Sequence, residues 1–335
     1  MTRVVLLEDW LDHARHMACV QRLAARADLT ILTDRARDAD HLLERIAGAE
    51  IVITIRDRVM FSRDVLERAR SLRLLSVCGP RLQPHIDLPA ATRAGILVTC
   101  PAPAPGPAAP HHATAELTWA LILGLAKSLE HHQTVMRAGG WQTRLSSDLA
   151  GRTLGVIGST GKVGQVVTTI GRALGMRVLA WSPRLNAARA SEQGVEAVAL
   201  QDLLGQSDVV TLHANATADS TRMIGKAQLM LMKQDAILVN TARAALIDEQ
   251  ALREVLDAGR LAGVGLDVYW QEPLPADHWL RSHPRVLMQP HLGGFSHQGY
   301  EWIIEPGVEA ALAWLDERPI HYANPEALQA GKDQG

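Results

Sequence analysis

The sequence has few cysteines, and their spacing is not typical of a metal site or a disulfide framework. Its 335 residues include only Cys19, Cys78 and Cys100, which form no paired-ligand motif. Free thiols of this kind are typical of proteins in a reducing compartment. We therefore expect a cytoplasmic protein without a metal centre.

Long apolar runs are also lacking. The longest, Leu117–Ala126, stops at Lys127 and is too short to cross a bilayer as a helix. The first ten residues, MTRVVLLEDW, contain no apolar stretch long enough for the core of a secretory signal. We therefore expect neither a secreted protein nor one that associates with a membrane.

Neither sign of charge is in excess. Lysine and arginine together number 34 and aspartate and glutamate 36, which gives a formal net charge of -2 at pH 7. This balance excludes a general binder of nucleic acid or of acidic membrane surfaces. Hydrophobic residues make up 47% of the chain, as in other globular proteins, and the length suggests about two domains.

Short apolar runs alternate with amphipathic segments in the first hundred residues. The runs predict strands at Val4–Leu7, Leu29–Leu32, Ile51–Ile55, Leu74–Val77 and Ile96–Val98. The segments between them predict helices at Leu11–Ala27, His41–Ala47, Arg63–Ala69 and Pro89–Ala94. Strict alternation is typical of parallel strands joined by right-handed crossover helices.

A proline-rich segment, PAPAPGPAAP at residues 101–110, interrupts this pattern. Proline at this density can neither continue a helix nor pair within a sheet, so the segment is a stiff spacer or a hinge between domains. We interpret it as a hinge, because periodic sequence lies on both sides of it.

The alternation resumes after this segment. Helices are predicted at Thr114–Leu129, at His131–Ala138 and, near the end of the chain, at Gly307–Leu315. Strands are predicted at Thr153–Ile157, Arg177–Trp181, Val195–Val198, Val209–Leu212, Ala236–Val239, Gly263–Leu266 and Val286–Met288.

A glycine-rich turn follows the predicted strand Thr153–Ile157. Gly158, Gly161 and Gly164 are spaced G-x-x-G-x-x-G, one residue longer in the first gap than the G-x-G-x-x-G of dinucleotide-binding folds. The order strand, turn, helix and strand favours a site for a pyrophosphate at the start of the helix. A turn that binds nothing remains an alternative for this segment alone. The candidate cofactor contacts here are Gly158, Ser159, Thr160, Gly161, Lys162, Val163 and Gly164.

The end of the next predicted strand bears on the choice between NAD and NADP. An acidic residue there would bind the ribose hydroxyls of NAD, but this sequence has Ser182, followed by Pro183 and Arg184. No carboxylate is present to repel a 2′-phosphate, and Arg184 could pair with one. We therefore favour NADP, although NAD stays open and Arg184 could instead be a solvated surface residue.

Polar residues end three later predicted strands, where α/β sheets place their sites. Arg243 lies in ILVNTAR, Asp267 and Glu272 lie in GVGLDVYWQEP, and His291 lies in PHLGG. In this order, and behind a dinucleotide turn, these motifs resemble those of the D-isomer-specific 2-hydroxyacid dehydrogenase family. The resemblance covers nearly the whole chain and is densest from about residue 72 to 295.

The resemblance implies two doubly wound parallel-sheet α/β domains, with a Rossmann cofactor domain inserted into a flavodoxin-like substrate domain. We expect the substrate domain at residues 1–101 and 300–335 and the NAD(P)-binding domain at 102–299. The implied activity is an oxidoreductase that interconverts a small 2-oxo acid and its D-2-hydroxy acid by hydride transfer. Two alternatives stay open: an NAD(H)-binding regulatory protein on the same scaffold, and a structural dimer with a decayed site.

The resemblance also implies three catalytic residues. The planar guanidinium of Arg243 can bind the substrate carboxylate, and His291 can exchange a proton with the substrate oxygen, because imidazole titrates near neutral pH. Glu272 can hold the other ring nitrogen and favour the charged imidazolium. The alternative roles are a solvated arginine, a turn carboxylate and a histidine bonded to the backbone.

Further cofactor contacts are implied beyond the glycine turn. Asp267 matches the family position that contacts the nicotinamide carboxamide, although it could instead cap the end of a strand. The loop Thr211–Thr217 resembles the family's H-x-P-x-T loop, with Asn215 in place of the proline. The implied contacts are Ser182, Pro183, Arg184, His213, Ala214, Thr217, Thr241, Ala242, Asp267 and Gly293.

The segment around Cys78 and Gly79 corresponds to the family loop whose backbone N–H groups hold the substrate carboxylate. These two residues, with Arg243 and His291, are the implied substrate contacts. Pro80 has no N–H to donate, and the neighbouring arginine, Arg81, could compensate or face water. We expect the Cys78 thiol to be a buried apolar group rather than a nucleophile.

The family resemblance implies a homodimer as well, because the region of the leucine-rich helix Thr114–Leu129 forms a twofold contact in that family. The adjacent histidine pairs His111-His112 and His131-His132 do not change the expectation of no metal. Neighbouring residues on a helix face different sides, and no cysteine or carboxylate lies at ligand spacing from them.

Overall fold

The computed structural model describes residues 1–56, 58–79, 82, 85–101, 111–183, 185–318 and 322–330. The expectations for Pro80, Arg81, Arg184 and residues 102–110 of the proline-rich segment therefore lie outside the described residues. Contacts divide the chain into two compact units, Met1–Ala108 with His297–Gly335, and Ala109–Ser296. Within the described ranges, no helix combines the length and apolar character needed to cross a membrane.

The strands lie close to their predicted positions. The strands are β1 (Arg3–Leu7), β2 (Asp28–Ile31), β3 (Ile51–Ile55), β4 (Leu74–Cys78), β5 (Leu97–Thr99), β6 (Thr153–Ile157), β7 (Arg177–Trp181), β8 (Glu196–Ala197), β9 (Val209–Leu212), β10 (Ile237–Asn240), β11 (Gly263–Leu266) and β12 (Val286–Met288). The helices are α1 (Ala18–Ala24), α2 (Ala39–Arg45), α3 (Arg63–Arg68), α4 (Leu88–Arg93), α5 (His111–Ala126), α6 (Leu129–Arg137), α7 (Lys162–Ala173), α8 (Ala187–Gln193), α9 (Leu200–Gln206), α10 (Lys226–Leu231), α11 (Glu249–Asp257), α12 (His297–Leu315) and α13 (Ala327–Ala330).

In the described part of the first unit, five parallel strands form a sheet in the order β2-β1-β3-β4-β5. This is the order of flavodoxin-like folds. All residues of β3, β4 and β5 are buried, because helices cover both faces of such a sheet and leave no polar face. The predicted flavodoxin-like architecture is confirmed.

In the described part of the second unit, seven parallel strands form a sheet in the order β12-β11-β10-β9-β6-β7-β8. The chain order reverses between β6 and β9, which makes this pair the topological switch point of a Rossmann-type sheet. Ligands of such sheets bind outside the carboxyl ends of the strands at this point. The predicted doubly wound fold is therefore confirmed here too.

Two helix predictions were wrong in extent. The predicted helix Leu11–Ala27 is a 3₁₀ turn at Ala14–His16 followed by α1, because Met17 has an extended backbone (φ -78°, ψ 135°) that interrupts the helix.

The helix predicted at Gly307–Leu315 is α12, which begins ten residues earlier than predicted and contains Pro306, a residue that normally ends helices. Contacts with β4 hold this part of α12, since Ser76 Oγ donates to the Gly307 carbonyl at 2.7 Å and Cys78 Sγ lies 3.6 Å from the Ile304 carbonyl. Tertiary packing thus overrides the local effect of the proline.

Candidate active site

The carboxyl edge of the second sheet brings residues from six strands into one row. The row consists of Trp181, Ile157, Leu212, Asn240, Leu266 and Met288, each paired with the next in the register of the sheet. The residues that follow the first five members of the row are Ser182, Gly158, His213, Thr241 and Asp267. With neighbouring strands about 4.8 Å apart, the row is about 24 Å long. Five predicted site residues therefore share one edge.

The glycine turn lies at the switch point, where two of its glycines allow main chains to approach each other. Gly158 has a φ of +92°, and a Cβ there would lie 2.6 Å from the main-chain carbon of His213. A Cβ on Gly164 would lie 2.5 Å from the Gly158 oxygen. These two positions cannot hold a larger residue without a shift of the backbone. At Gly161 a Cβ would meet the same oxygen at 3.4 Å, which is an ordinary contact.

The helix after the turn, α7, begins without a side-chain cap: Gly161 precedes its first residue and has no side chain to accept its N–H groups. Such a helix start favours a bound anion. Ser182 is buried beside the turn, with its Oγ 3.5 Å from Ser159 Oγ and 3.5 Å from the Thr160 nitrogen. The end of β7 thus presents a hydroxyl to the turn, where NAD-specific folds have a carboxylate.

The loop after β9 packs against the turn from the other side of the switch point. His213 donates its N–H to the Ile157 carbonyl at 2.7 Å, and its ring Nε2 lies 3.0 Å from Thr211 Oγ1. Burial lowers the pKa of His213 to about 3, so the ring is uncharged near neutral pH. Further along, Ser220 Oγ accepts the Thr217 N–H at 2.8 Å and donates to the Asn215 carbonyl at 2.7 Å. These bonds order the loop where the family pattern has a proline.

His291 and Glu272, which are 19 residues apart, form a close pair. His291 Nδ1 lies 2.6 Å from Glu272 Oε2, and the other carboxylate oxygen accepts the N–H of Tyr269 at 2.9 Å. The side chains are 27% and 37% exposed, so the pair is accessible from solvent. His291 has a φ of +57°, an uncommon conformation for a residue with a side chain, and such residues often occur at functional sites.

Asp267 holds the loop that carries His291. Its two carboxylate oxygens accept the N–H groups of Leu292 at 2.7 Å and Gly293 at 2.8 Å. Burial raises the pKa of Asp267 to about 6, although both hydrogen bonds oppose the shift. A Cβ on Gly293 would lie 2.9 Å from Asp267 Oδ2, so glycine permits this approach. Asp267 thus caps this loop, and its contact with the nicotinamide stays a prediction.

Arg243 lies on a short loop after β10 that Asn240 holds in place. In the side chain of Asn240, Nδ2 donates to the Arg243 carbonyl at 2.9 Å and Oδ1 accepts the Ala242 N–H at 3.0 Å. Arg243 Nη1 donates to the Ala242 carbonyl at 2.6 Å. The strands before Arg243 and His291 are separated by one strand, which places their axes about 10 Å apart.

The two other predicted substrate contacts, Cys78 and Gly79, lie in the first unit. Cys78 is fully buried against α12, and burial raises the pKa of its thiol, which agrees with the expected apolar role. Gly79 has a φ of +127°, and its carbonyl accepts the Cys100 thiol at 2.9 Å. Any contact of Cys78 with a substrate would therefore involve its backbone.

Sequence reasoning missed the residues that hold this site in place. Asn240 could have been found, because it is a buried amide at the end of an apolar strand, three residues before Arg243. The roles of Tyr269, Thr118 and Thr114 have no local signal. Thr118 Oγ1 lies 2.8 Å from the Thr241 hydroxyl, and Thr114 Oγ1 donates to the Gly293 carbonyl at 2.7 Å.

The strand order and the turn at the switch point define a Rossmann-type nucleotide-binding fold. A family model described as "D-isomer specific 2-hydroxyacid dehydrogenase, NAD binding domain" matches residues 119–293. This chain belongs to the D-isomer-specific 2-hydroxyacid dehydrogenase family, as its motifs predicted.

Relatives with described activities share much of the chain. It is 32% identical over 295 residues to the glyoxylate reductase of Korarchaeum cryptofilum, with 86% of both chains covered. It is 35% identical over 262 residues to the D-3-phosphoglycerate dehydrogenase of Methanocaldococcus jannaschii, covering 77% of this chain but 48% of that protein. The chain therefore spans about half the length of that dehydrogenase.

A solved structure agrees with the fold. The phosphoglycerate oxidoreductase from Vibrio cholerae O395 is similar with a TM-score of 0.86 and 31% identity. The similarity covers 95% of this chain and 100% of that one.

Proposed function

We propose that this protein is an NAD(P)-dependent oxidoreductase that interconverts a small 2-oxo acid and its D-2-hydroxy acid. The observation that carries the proposal is the 2.6 Å contact between His291 Nδ1 and Glu272 Oε2, at the sheet edge that also carries Arg243 and the glycine turn. Family membership supports the reaction type, and the relatives named above support an acid of the size of glyoxylate or 3-phosphoglycerate.

The histidine–carboxylate pair supplies the proton chemistry in this proposal. Because Tyr269 holds one oxygen of Glu272, the other oxygen stays directed at His291 Nδ1. A carboxylate in this position keeps a proton on Nδ1 and fixes the orientation of the ring. Nε2 is then the nitrogen that donates a proton to the carbonyl oxygen during reduction and takes it from the hydroxyl during oxidation.

Arg243 is the proposed carboxylate anchor. Its guanidinium can donate two parallel hydrogen bonds to the substrate carboxylate, an arrangement that fixes orientation as well as affinity. Asn240 holds the loop at both Ala242 and Arg243. A fixed anchor places the carbonyl of the acid at a constant distance from the proton donor.

The glycine turn fits the diphosphate of a dinucleotide. Gly158 and Gly164 bring main chains together, and at the start of α7 a Cβ on Gly161 would make only ordinary contacts, the nearest at 3.4 Å. We propose that this turn and the row from Ser182 to Asp267 hold the coenzyme. A bound nicotinamide coenzyme supplies or accepts the hydride. Since Ser182 brings no charge against a 2′-phosphate, we propose NADP(H) as the preferred coenzyme.

The absorbance of reduced nicotinamide during incubation with glyoxylate, hydroxypyruvate, pyruvate and 3-phosphohydroxypyruvate tests this function. We expect turnover of at least one acid, faster with NADPH than with NADH, and a D product where the product is chiral. His291→Ala should lower kcat by about 10²- to 10⁴-fold and leave coenzyme affinity unchanged. Coenzyme binding without turnover would support the regulatory alternative, and absence of binding would support a decayed site.

We also propose that the chain forms a homodimer, through α6 and the segment after it rather than through the leucine-rich helix α5, because Leu121 and Ile122 of α5 are already buried in the core of the second unit. Trp141 is 70% exposed and Leu145 is 94% exposed, and Leu129 and Met136 are more than half exposed. Large apolar side chains concentrated in one region are typical of an interaction surface, and a twofold dimer would cover this one. In analytical ultracentrifugation the wild type should sediment as a dimer, and the double variant Trp141→Ser/Leu145→Asp should sediment as a monomer. Equal molecular masses for the two proteins would refute the proposed surface.

A further inference from the structure

Tyr269 is linked to both members of the histidine–carboxylate pair, directly to Glu272 through its N–H and indirectly to His291 through its hydroxyl and the Gln289 carbonyl. Its N–H donates to Glu272 Oε1 at 2.9 Å, and Glu272 Oε2 lies 2.6 Å from His291 Nδ1. Its hydroxyl donates to the Gln289 carbonyl at 2.8 Å, and that carbonyl also accepts the N–H of His291 at 3.0 Å. These contacts form a closed ring that begins and ends at Tyr269.

The position of the Gln289 carbonyl bears directly on His291. His291 has a positive φ of +57°, a conformation that persists only where the surroundings hold it. Its N–H is bonded to the Gln289 oxygen, so a movement of that carbonyl would move the backbone that carries the imidazole. The Tyr269 hydroxyl donates to the same oxygen, which restricts this movement.

Tyr269 is itself held firmly. The residue belongs to the hydrophobic core of the second unit and is 8% exposed, and its hydroxyl lies 3.2 Å from the Leu266 carbonyl as well. Burial, and then the charge of Asp267, raise the pKa of the tyrosine. The hydroxyl therefore keeps its proton and remains a donor throughout the pH range of an assay.

We propose that Tyr269 is a positioning residue, which fixes the imidazole of His291 against Glu272 by holding the carboxylate with its N–H and the Gln289 carbonyl with its hydroxyl. This proposal rests on the function proposed above, in which His291 exchanges the proton. Small errors in the placement of a proton donor lower the rate of the chemical step more than they lower binding.

Tyr269→Phe tests the proposal, because it deletes one oxygen and keeps the ring in the core. A matched control is Ser207→Ala, at the amino end of β9 and therefore at the opposite edge of the same sheet. The buried Ser207 hydroxyl donates to the Leu203 carbonyl at 2.6 Å, and that carbonyl also accepts the Ser207 N–H at 3.1 Å. Each variant thus removes one buried hydroxyl donor from a carbonyl oxygen. That oxygen keeps a backbone N–H as its second donor, from His291 in one case and from Ser207 in the other.

Three measurements on the full chain separate positioning from stability. Thermal unfolding should show similar losses for both variants. In Tyr269→Phe alone, kcat should fall about 2- to 10-fold, the effect of one neutral hydrogen bond, with the KM for the coenzyme unchanged and the pH profile of kcat displaced. The low-field proton resonance of the bond between His291 and Glu272 should move or broaden in the same variant.

The outcomes distinguish this proposal from the proposed function. If Tyr269→Phe matches Ser207→Ala in kcat, in pH profile and in the resonance, Tyr269 has only a structural role and the proposal is overturned. If the wild type reduces no 2-oxo acid while the resonance still moves in Tyr269→Phe, the proposed function fails and the positioning of His291 by Tyr269 stands.

Discussion

Alanine substitutions at two glycines of the turn should have different effects. The substitution at Gly164 should lower the stability of the protein, and the substitution at Gly161 should weaken coenzyme binding. In Gly164→Ala the new Cβ would lie 2.5 Å from the Gly158 oxygen and 2.9 Å from the Ser159 Cα. Both are main-chain atoms, which cannot rotate away. In Gly161→Ala the nearest atom is 3.4 Å away, and the φ of -77° suits alanine.

The expected magnitudes follow from these distances. Overpacking costs about 1–3 kcal/mol, so Gly164→Ala should lower the melting temperature by about 2–12 °C, at about 2–4 °C per kcal/mol. Gly161→Ala should change the free energy of unfolding by less than about 0.5 kcal/mol. Its methyl group, however, would occupy the space proposed for the diphosphate, and a clash of about 1–3 kcal/mol weakens coenzyme binding about 5- to 150-fold.

Thermal unfolding of the full chain, with and without NADPH, measures the first effect, and titration of the coenzyme measures the second. We expect Gly164→Ala to lose stability without ligand, and Gly161→Ala to lose the thermal shift that NADPH causes. A melting temperature of Gly164→Ala equal to that of the wild type would refute the packing argument. Wild-type affinity of Gly161→Ala for both coenzymes would refute the binding of a diphosphate at this turn.

Three further predictions concern the polar residues of the same edge. Glu272→Gln should lower kcat about 10- to 100-fold, as losses of supporting hydrogen bonds do at other sites, while coenzyme affinity, measured by titration, stays the same. Arg243→Lys should raise the KM for the oxo acid about 10-fold or more in steady-state kinetics, because lysine cannot form the two parallel bonds. Asp267 has a pKa raised by burial to about 6, so the folded protein takes up its proton at a higher pH than the unfolded chain does. The contribution of this group to stability therefore rises as the pH falls. In urea unfolding, the free energy of unfolding of the wild type relative to that of Asp267→Asn should increase by about 1 kcal/mol from pH 7 to pH 5. A difference that is constant with pH would contradict the assignment.

Local sequence was a good guide to the sheets and a poor one to some helices. Strands such as Ile51–Ile55 and Gly263–Leu266 were predicted with their observed bounds, because a strand buried on both faces must be apolar throughout. The start of α12 was missed: the predicted helix began at Gly307, directly after Pro306, whereas contacts with β4 hold the helix together across this proline. Helix ends depend on such contacts more than strand cores do.

The candidate site divides in the same way. Arg243, Glu272 and His291 were predicted from the sequence because their motifs follow apolar strands in a recognisable order, and their catalytic roles stay a prediction. Tyr269 was not found, because its role depends on the Gln289 carbonyl, which lies on a different strand connection. The Asp267 side chain was predicted to contact the coenzyme, and the structure shows its bonds with Leu292 and Gly293.

The sequence by itself thus determined the number and order of the strands, the glycine turn, the family and the residue types available for chemistry. Only the tertiary structure decided that six strand ends align in one row, and that Tyr269 holds Glu272 directly and His291 through the Gln289 carbonyl. The physical reason is that periodicity reports whether a residue is buried, whereas register and side-chain contacts depend on residues distant along the chain. Those distant partners are specified when the sheet assembles and have no signature in any short segment.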